Sequence, residues 1–534
     1  MAPPPDELQA CSGPIQPGPA PLRRLTRVEY DNTVSQLLSD TSRPARAFPP
    51  DEEAGGFDNQ AAAQSVSPLL AENYLNAAET LAARTAERRL PTLAGCPAPS
   101  DAATCEASVR VFIQSFGLRA WRRPLAADEI QECLDLFDQG AALGEGDFDA
   151  RAGFELMLAA MLQSPHFLYR VEFGDGEQVP DAAPDVTALT DYEIATRLSY
   201  FFWNTMPDEG LFEAAARGEL HTAEQIEAQA RRLLATPRAR EAVKTFHRQW
   251  LGLDEIEHIK AFGKNPEIYP DYDETLLPLL QEEAERFIEH VIFDGEGTMS
   301  ALFTAPYSMM NRRLAEWYGV SGPEGDDFEE VDLDPAIYSG FLSQAGLLAL
   351  HSKPDRSSPI HRGLFVRKRL LCQIPPPPPD IVPEAPLVDE TQTTRQQFAQ
   401  HKTDPLCAGC HRMIDEIGFG FESFDGLGRY RETEWGLPID DTGNMFETVD
   451  IDGPFDGVVG LGERLAGSEQ VRDCVVRQWF RFGQGRVETV DDACTLATLR
   501  STFEDSGRDI RELLVTLPQT DAFRYRRVVV PGGE

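Results

Sequence analysis

Leu189-Thr190-Asp191-Tyr192-Glu193-Ile194-Ala195-Thr196-Arg197-Leu198-Ser199-Tyr200-Phe201-Phe202-Trp203 is the stretch from which the fold class is read. Thr190 and Glu193 stand three apart ahead of an apolar run. That is the spacing of a capping box, in which hydroxyl and carboxylate each satisfy a backbone N–H at a helix start. The pattern predicts a helix that runs through Trp203. The same device recurs at Thr26 and Glu29, followed by Val34, Leu37 and Leu38 at helical spacing. Working outward, helical periodicity covers about 68–88 and 105–173. It is interrupted at Arg122-Arg123-Pro124 and bent at Gln163-Ser164-Pro165-His166-Phe167. It returns at about 222–235, 237–252, 274–294, 309–318, 338–350, 359–372, 391–401 and 459–525. Strand signals are sparse, and the Gly-, Asp- and Thr-rich residues 436–458 read as turns with a short hairpin. The expected class is mainly α.

The chemistry lies in Cys407-Ala408-Gly409-Cys410-His411, the C-x-x-C-H pattern of c-type haem attachment. Thiols at i and i+3 on a helical turn share one side, where each can add to a haem vinyl group. The next residue then offers its imidazole to the iron as proximal ligand. Small Ala408 and Gly409 keep the backbone clear of the porphyrin edge. The competing readings are a Cys407–Cys410 disulfide beside a bystander histidine, and a structural zinc. Zinc would need two further ligands, and no second C-x-x-C exists. A thioredoxin-like pair lacks its βαβ surroundings.

The distal side of such a haem is either filled by His or Met or left open, and this separates electron carrier from oxygen or peroxide chemistry. Candidates are His351, His361, His401, Met309, Met310 and Met445, with Met445 first and His351 second. Met413 is too close to His411 to reach the opposite face. Arg429 and Arg431 are the expected donors to haem propionates. Tyr430 and Trp435 are candidates for the ring edge, with surface or core packing as the competing reading. Asp415, Glu422 and Asp425 are expected to brace the haem loop. His166 and His247 sit in apolar helices and read as hydrogen-bonded core histidines. No nucleotide-binding, zinc-protease or serine-hydrolase motif is present.

Residues 401–431, with Cys407 to His411, Asp415, Gly418-Phe419, Glu422-Ser423-Phe424-Asp425, Gly428 and Arg431, resemble the haem segment of the Planctomycete cytochrome C-like exported bacterial proteins. Four other stretches resemble the remaining domains of that family in order. They are Leu22 to Asn32; Phe116 to Leu125 with Gln163 to Arg170; Leu189 to Trp203; and 472–525. Ser358-Pro359, Arg362-Gly363 and Leu371-Cys372 resemble the start of the haem-bearing domain. The family consists of domains of unknown function 1587, 1595, 1592, 1588 and 1585 in tandem. The resemblance implies an exported, haem-associated role and leaves the substrate open.

These readings divide the chain into a disordered 1–20, helical domains at 21–90, 91–175 and 186–320, a cytochrome c-like haem domain at 335–458, and a C-terminal helical domain at 459–528. A Pro-rich strap spans 375–390, where the run from Pro375 to Pro379 favours an extended conformation. At 534 residues the chain exceeds what one core organises. Its net charge of −39 disfavours nucleic acid and anionic membranes as partners, and no run reaches the roughly 18–20 apolar residues of a membrane span.

The start has neither a basic region nor an apolar core of a signal peptide, so an export leader is expected to have been removed. The expected location is periplasmic or extracellular. Nine cysteines then bear on disulfides. Cys96 with Cys105, and Cys474 with Cys494, are the expected pairs, while Cys133 and Cys372 are candidates for free buried thiols.

The functional expectation is one covalent haem c in an oxidoreductase or electron-transfer protein with an unknown redox partner or substrate. The alternative is a non-catalytic binding or structural protein in which the C-x-x-C-H segment only stabilises the fold.

Overall fold

The computed structural model describes the chain except residues 1–10, 12, 94–101, 145–147, 258, 261–262, 377–388, 399–404 and 529–534. The side chains of 89–93, 102–104, 257, 405–408 and 410 also lie outside the description. The expected disordered start, the Pro-rich strap and His401 therefore fall largely or wholly outside it. The described residues are mainly helical, joined by a few two-stranded pairings. They form two compact units. One comprises 1–242, 480–498 and 514–534, the other 243–479 and 499–513.

The first unit opens on the antiparallel pair β1 (Arg23–Arg24) and β2 (Tyr169–Arg170). Helix α1 (Arg27–Leu38) follows, and Thr26 and Glu29 form its capping box. Helices α2 (Pro68–Leu93), α3 (Ala102–Ala120), α4 (Ala127–Leu143) and α5 (Ala150–Gln163) come next. Their apolar faces meet in one core that includes Tyr30, Val34, Leu81, Ile113, Phe137, Phe154 and Leu158. The expected break lies between α3 and α4. Arg122 there adopts a left-handed backbone (φ 61°) and donates to the carbonyls of His166, Phe167 and Tyr169. Ser164 ends α5 and caps the short turn Pro165–Leu168, which is the bend read from the sequence. Helix α6 (Asp191–Trp203) carries the Thr190–Glu193 capping box in full.

β1 and β2 contribute to a group of charges that no periodicity foretells. Arg23, Arg170, Arg197, Glu29 and Glu172 are all buried. Arg197 grips Glu172 with two guanidinium nitrogens at 2.8 and 2.6 Å. Arg23 lies 3.6 Å from the same carboxylate, and Arg170 lies 3.4 Å from Glu29. Burial pushes the Glu172 carboxyl up, but the arginines outweigh it and hold it at about 2.

In the second unit, α7 (Leu277–Glu289) passes into a π turn and lies against the hairpin of β3 (Tyr307–Met310) and β4 (Glu329–Asp332). Helix α8 (Pro359–Phe365) packs on α9 (Pro405–Gly418), the helix that carries the C-x-x-C-H motif. Two hairpins follow. β5 (Thr433–Glu434) pairs with β6 (Leu437–Pro438), and β7 (Thr442–Met445) pairs with β8 (Gly453–Asp456). Helix α10 (Gly457–Gly467) comes after β8. The 436–458 region is thus richer in strand than the single hairpin expected.

The disulfides correct the cysteine reading. Cys474 bonds Cys372 in the second unit, and Cys494 bonds Cys11 in the first. The expected Cys474–Cys494 pair therefore does not form, and Cys372 is not a free thiol. Proximity along the chain misled, because the partners lie 102 and 483 residues away. Cys105 is also disulfide-bonded, while Cys96 lies outside the described residues. Cys133 is a buried free thiol, pushed up to about 11 by burial.

Candidate functional site

Helix α9 starts at Pro405, a residue whose fixed φ suits a first helical turn. Cys407, Cys410 and His411 follow on its next turns, with the two cysteine side chains outside the description. His411 is about a quarter exposed, and its Nδ1 lies 3.1 and 3.0 Å from the two carboxylate oxygens of Asp415. A carboxylate only accepts, so Nδ1 carries the proton and Nε2 is the ring nitrogen suited to a metal. Asp415 is buried, and its hydrogen bond raises the His411 pKa against the opposing effect of burial. The one-turn spacing of His411 and Asp415 fixes the ring along the helix. Gly409 is exposed, and a Cβ built on it meets no described atom within 4 Å. The residue types of the motif and the braced imidazole are those that a c-type haem takes.

The sequence explains why α9 is held rigidly. Gly363 of α8 faces the Ile414 carbonyl, and Gly418 of α9 faces that of Pro359. A Cβ at either glycine would strike the opposing backbone, so the helices cross at glycine-permitted distance. The neighbouring Arg362 is buried and donates to the carbonyls of Phe421, Phe424 and Asp425, at 2.8, 2.9 and 2.7 Å. It thereby pins the loop that follows α9. Burial lowers its pKa to about 10. Arg367 donates to Met413 O of α9 at 3.0 Å and to the Phe446 carbonyl after β7. Neither arginine stood out in the sequence. The Arg362-Gly363 dipeptide was visible only as a family resemblance.

The other expected site residues fall in several places. Asp425 accepts from the backbone N–H groups of Leu427 and Arg429, at 2.8 and 3.0 Å, and so braces the loop as expected. Glu422 is buried and accepts from Ser357 Oγ at 2.8 Å. Arg429 pairs with Asp425 and Asp271. Arg431 pairs with Glu422 and Glu434.

Met445 is fully buried on β7, the strand whose Gly443 abuts the Glu416 carbonyl of α9. His351 lies with its ring 4.8 Å from that of Phe365 in α8, and its Nε2 has no hydrogen-bond partner among the described residues. Burial pushes its pKa down to about 3. Met445 and His351 thus occupy different surroundings, one against the hairpin side of α9 and one against α8. His361 bonds Ser358 Oγ at 2.7 Å, and Met310 is a core residue of β3. Tyr430 and Trp435 are two-fifths exposed. His247 is a core histidine whose Nδ1 donates to Val243 O at 2.8 Å.

Among the described residues no group of three or more His, Cys, Asp or Glu side chains is arranged to hold a metal ion, and no helix is long and apolar enough to cross a membrane.

Five family models match in tandem. Residues 23–87 match Protein of unknown function (DUF1587), and 108–172 match Protein of unknown function (DUF1595). Residues 189–320 match Protein of unknown function (DUF1592), 338–434 match (DUF1588) and 452–523 match (DUF1585). The chain belongs to the Planctomycete cytochrome C-like family. The motif helix, its partner α8 and the loop pinned by Arg362 all fall inside the DUF1588 match, which gives the family's fourth domain a physical outline. No curated protein and no solved structure matches the chain.

Proposed function

We propose that the chain is an exported c-type haem protein that moves electrons to or from a substrate or partner. Cys407 and Cys410 would hold the haem as thioethers, and His411 Nε2 would be its proximal ligand. A haem c supplies one-electron chemistry there. Asp415 keeps the proton on Nδ1 and orients the ring, and the α8–α9 crossing holds the motif helix still. The His411–Asp415 bond carries the reading, because a metal-bound imidazole commonly donates its other ring N–H to a carboxylate, a carbonyl or water, and Asp415 supplies such an acceptor. Disulfides in both units support an oxidising compartment outside the cytosol. Met445 and His351 remain the proposed distal ligands, in that order.

The test is expression in a bacterium with an active cytochrome maturation system, followed by oxidised and reduced absorption spectra and a haem stain after denaturation. Covalent haem that disappears in Cys407→Ala supports the proposal. A colourless chain beside a properly matured control cytochrome would refute it and leave the structural alternative.

A further inference from the structure

The β5–β6 hairpin turns on two residues, Trp435 and Gly436, because Glu434 pairs with Leu437. Both central residues are left-handed, with φ 55° and 79°. That is the type I′ geometry that favours Asn-Gly, since a bulky side chain on the first residue crowds its own backbone. Trp435 is nevertheless placed there, and 40% of it stays exposed. It serves neither the turn nor the core. A large aromatic kept in an unfavourable conformation at the surface points to something outside the chain.

Trp435 stands at the edge of a cavity of 190 Å³ in the second unit. At about 30 Å³ each, that holds roughly six waters, the space of one sugar ring rather than of a drug-sized ligand. Its lining alternates fixed donors and acceptors. Arg356, Arg429 and Arg431 are matched by Asp355, Asp425 and Glu434, so the lining charges cancel. The groups hold one another in place. Glu434 accepts from Thr394 N at 2.6 Å, Thr394 Oγ1 at 2.8 Å and Arg431 at 3.1 Å. Arg429 is anchored by Asp425 and lies over the Trp317 ring. A rigid, neutral pocket with both hydrogen-bonding senses suits hydroxyl groups, which donate and accept at once. An exposed indole at the rim suits a ligand with one apolar C–H face.

We infer that this cavity is a subsite for one ring of a neutral saccharide, with Trp435 as its stacking platform. The inference stands apart from the haem reading, and its test is independent of haem loading. Titration calorimetry on the full chain uses cellohexaose and mannohexaose as neutral probes and trigalacturonate as the anionic one. The variant is Trp435→Asn, which gives the turn its preferred residue and removes the platform. Saturable binding of a neutral probe, weakened at least tenfold in Trp435→Asn with no fall in Tm, is the expected result. Three results overturn it: no heat from either neutral probe at millimolar concentration, preference for trigalacturonate, or equal binding by the variant. A fall in Tm for Trp435→Asn would overturn the premise that the native turn is strained.

Discussion

Replacing Glu172 with Gln keeps the shape of the side chain and removes one of two carboxylates from a site with three buried arginines. Arg23, Arg170 and Arg197 would then face Glu29 alone. Two routes give the magnitude. The carboxyl is held at about 2 against 4.5 for the ordinary side chain, and each unit corresponds to 1.36 kcal/mol, which makes about 3 kcal/mol. Breaking a buried pair by removing one partner costs about 3–5 kcal/mol, because a charge is stranded out of water. At about 2–4 °C per kcal/mol, the expected loss is roughly 6–12 °C in Tm at pH 7.

The sign with pH is fixed. The folded pKa is depressed, so the contribution is complete above pH 4.5 and disappears as pH falls toward 2. The variant and the parent should therefore converge in acid. Thermal unfolding followed by circular dichroism from pH 7 to pH 3 reads both effects. A Tm change under 2 °C at pH 7, or a difference that does not shrink in acid, would refute the reasoning. Replacing Glu172 and Arg197 together with methionines should recover most of the loss, since the charge and its partner leave as a pair.

Glu283 on α7 behaves in the opposite sense. It is fully buried, accepts from Ser308 Oγ at 2.7 Å, and is pushed up to about 7 by burial. A raised carboxyl stabilises below pH 4.5 and loses that contribution as pH rises through 7. Glu283→Gln should therefore add about 3 kcal/mol at pH 8 and nothing at pH 4.5, measured by urea titration at both. His247 is boxed by Phe246, Trp250 and Trp479, and burial lowers its pKa to about 4. The unfolded chain binds a proton at about 6.5 that the folded chain refuses, so about 3 kcal/mol is lost as pH falls from 6.5 to 4. His247→Phe should flatten that slope in the same titrations. Cys372→Ala with Cys474→Ala opens a loop of 102 residues, and loop entropy sets a loss of about 4–5 kcal/mol, read as a drop in denaturation midpoint.

The parts of the fold legible in the sequence are those written in local chemistry. Thr26 with Glu29, Thr190 with Glu193, and Ser164 before Pro165 each act within four residues, so their spacing announces the helix ends that the structure shows. The C-x-x-C-H motif is local too, but the sequence pointed to Asp415 only as a brace for the loop, and its bond to the His411 ring one turn back came from the structure. What could not be read is made by distant segments. Arg23, Arg170, Arg197 and Arg362 look in sequence like any surface arginine. Only the fold reveals that they are buried and spent on carboxylates and carbonyls. The disulfide partners failed for the same reason. The hairpin at β3 and β4 was missed because its strands are short and lie 19 residues apart, with a helix between them.

The interleaving of the two units has a consequence for the order of events at birth. Each unit recruits residues from the last tenth of the chain, and Cys11 waits 483 residues for Cys494. A ribosome that has made the first four hundred residues has therefore completed neither body. The core shared by α1–α5 lies within the first 206 residues and can gather early, but the first unit is not complete until its last two segments have been made. Both bodies stay incomplete until the final helices arrive.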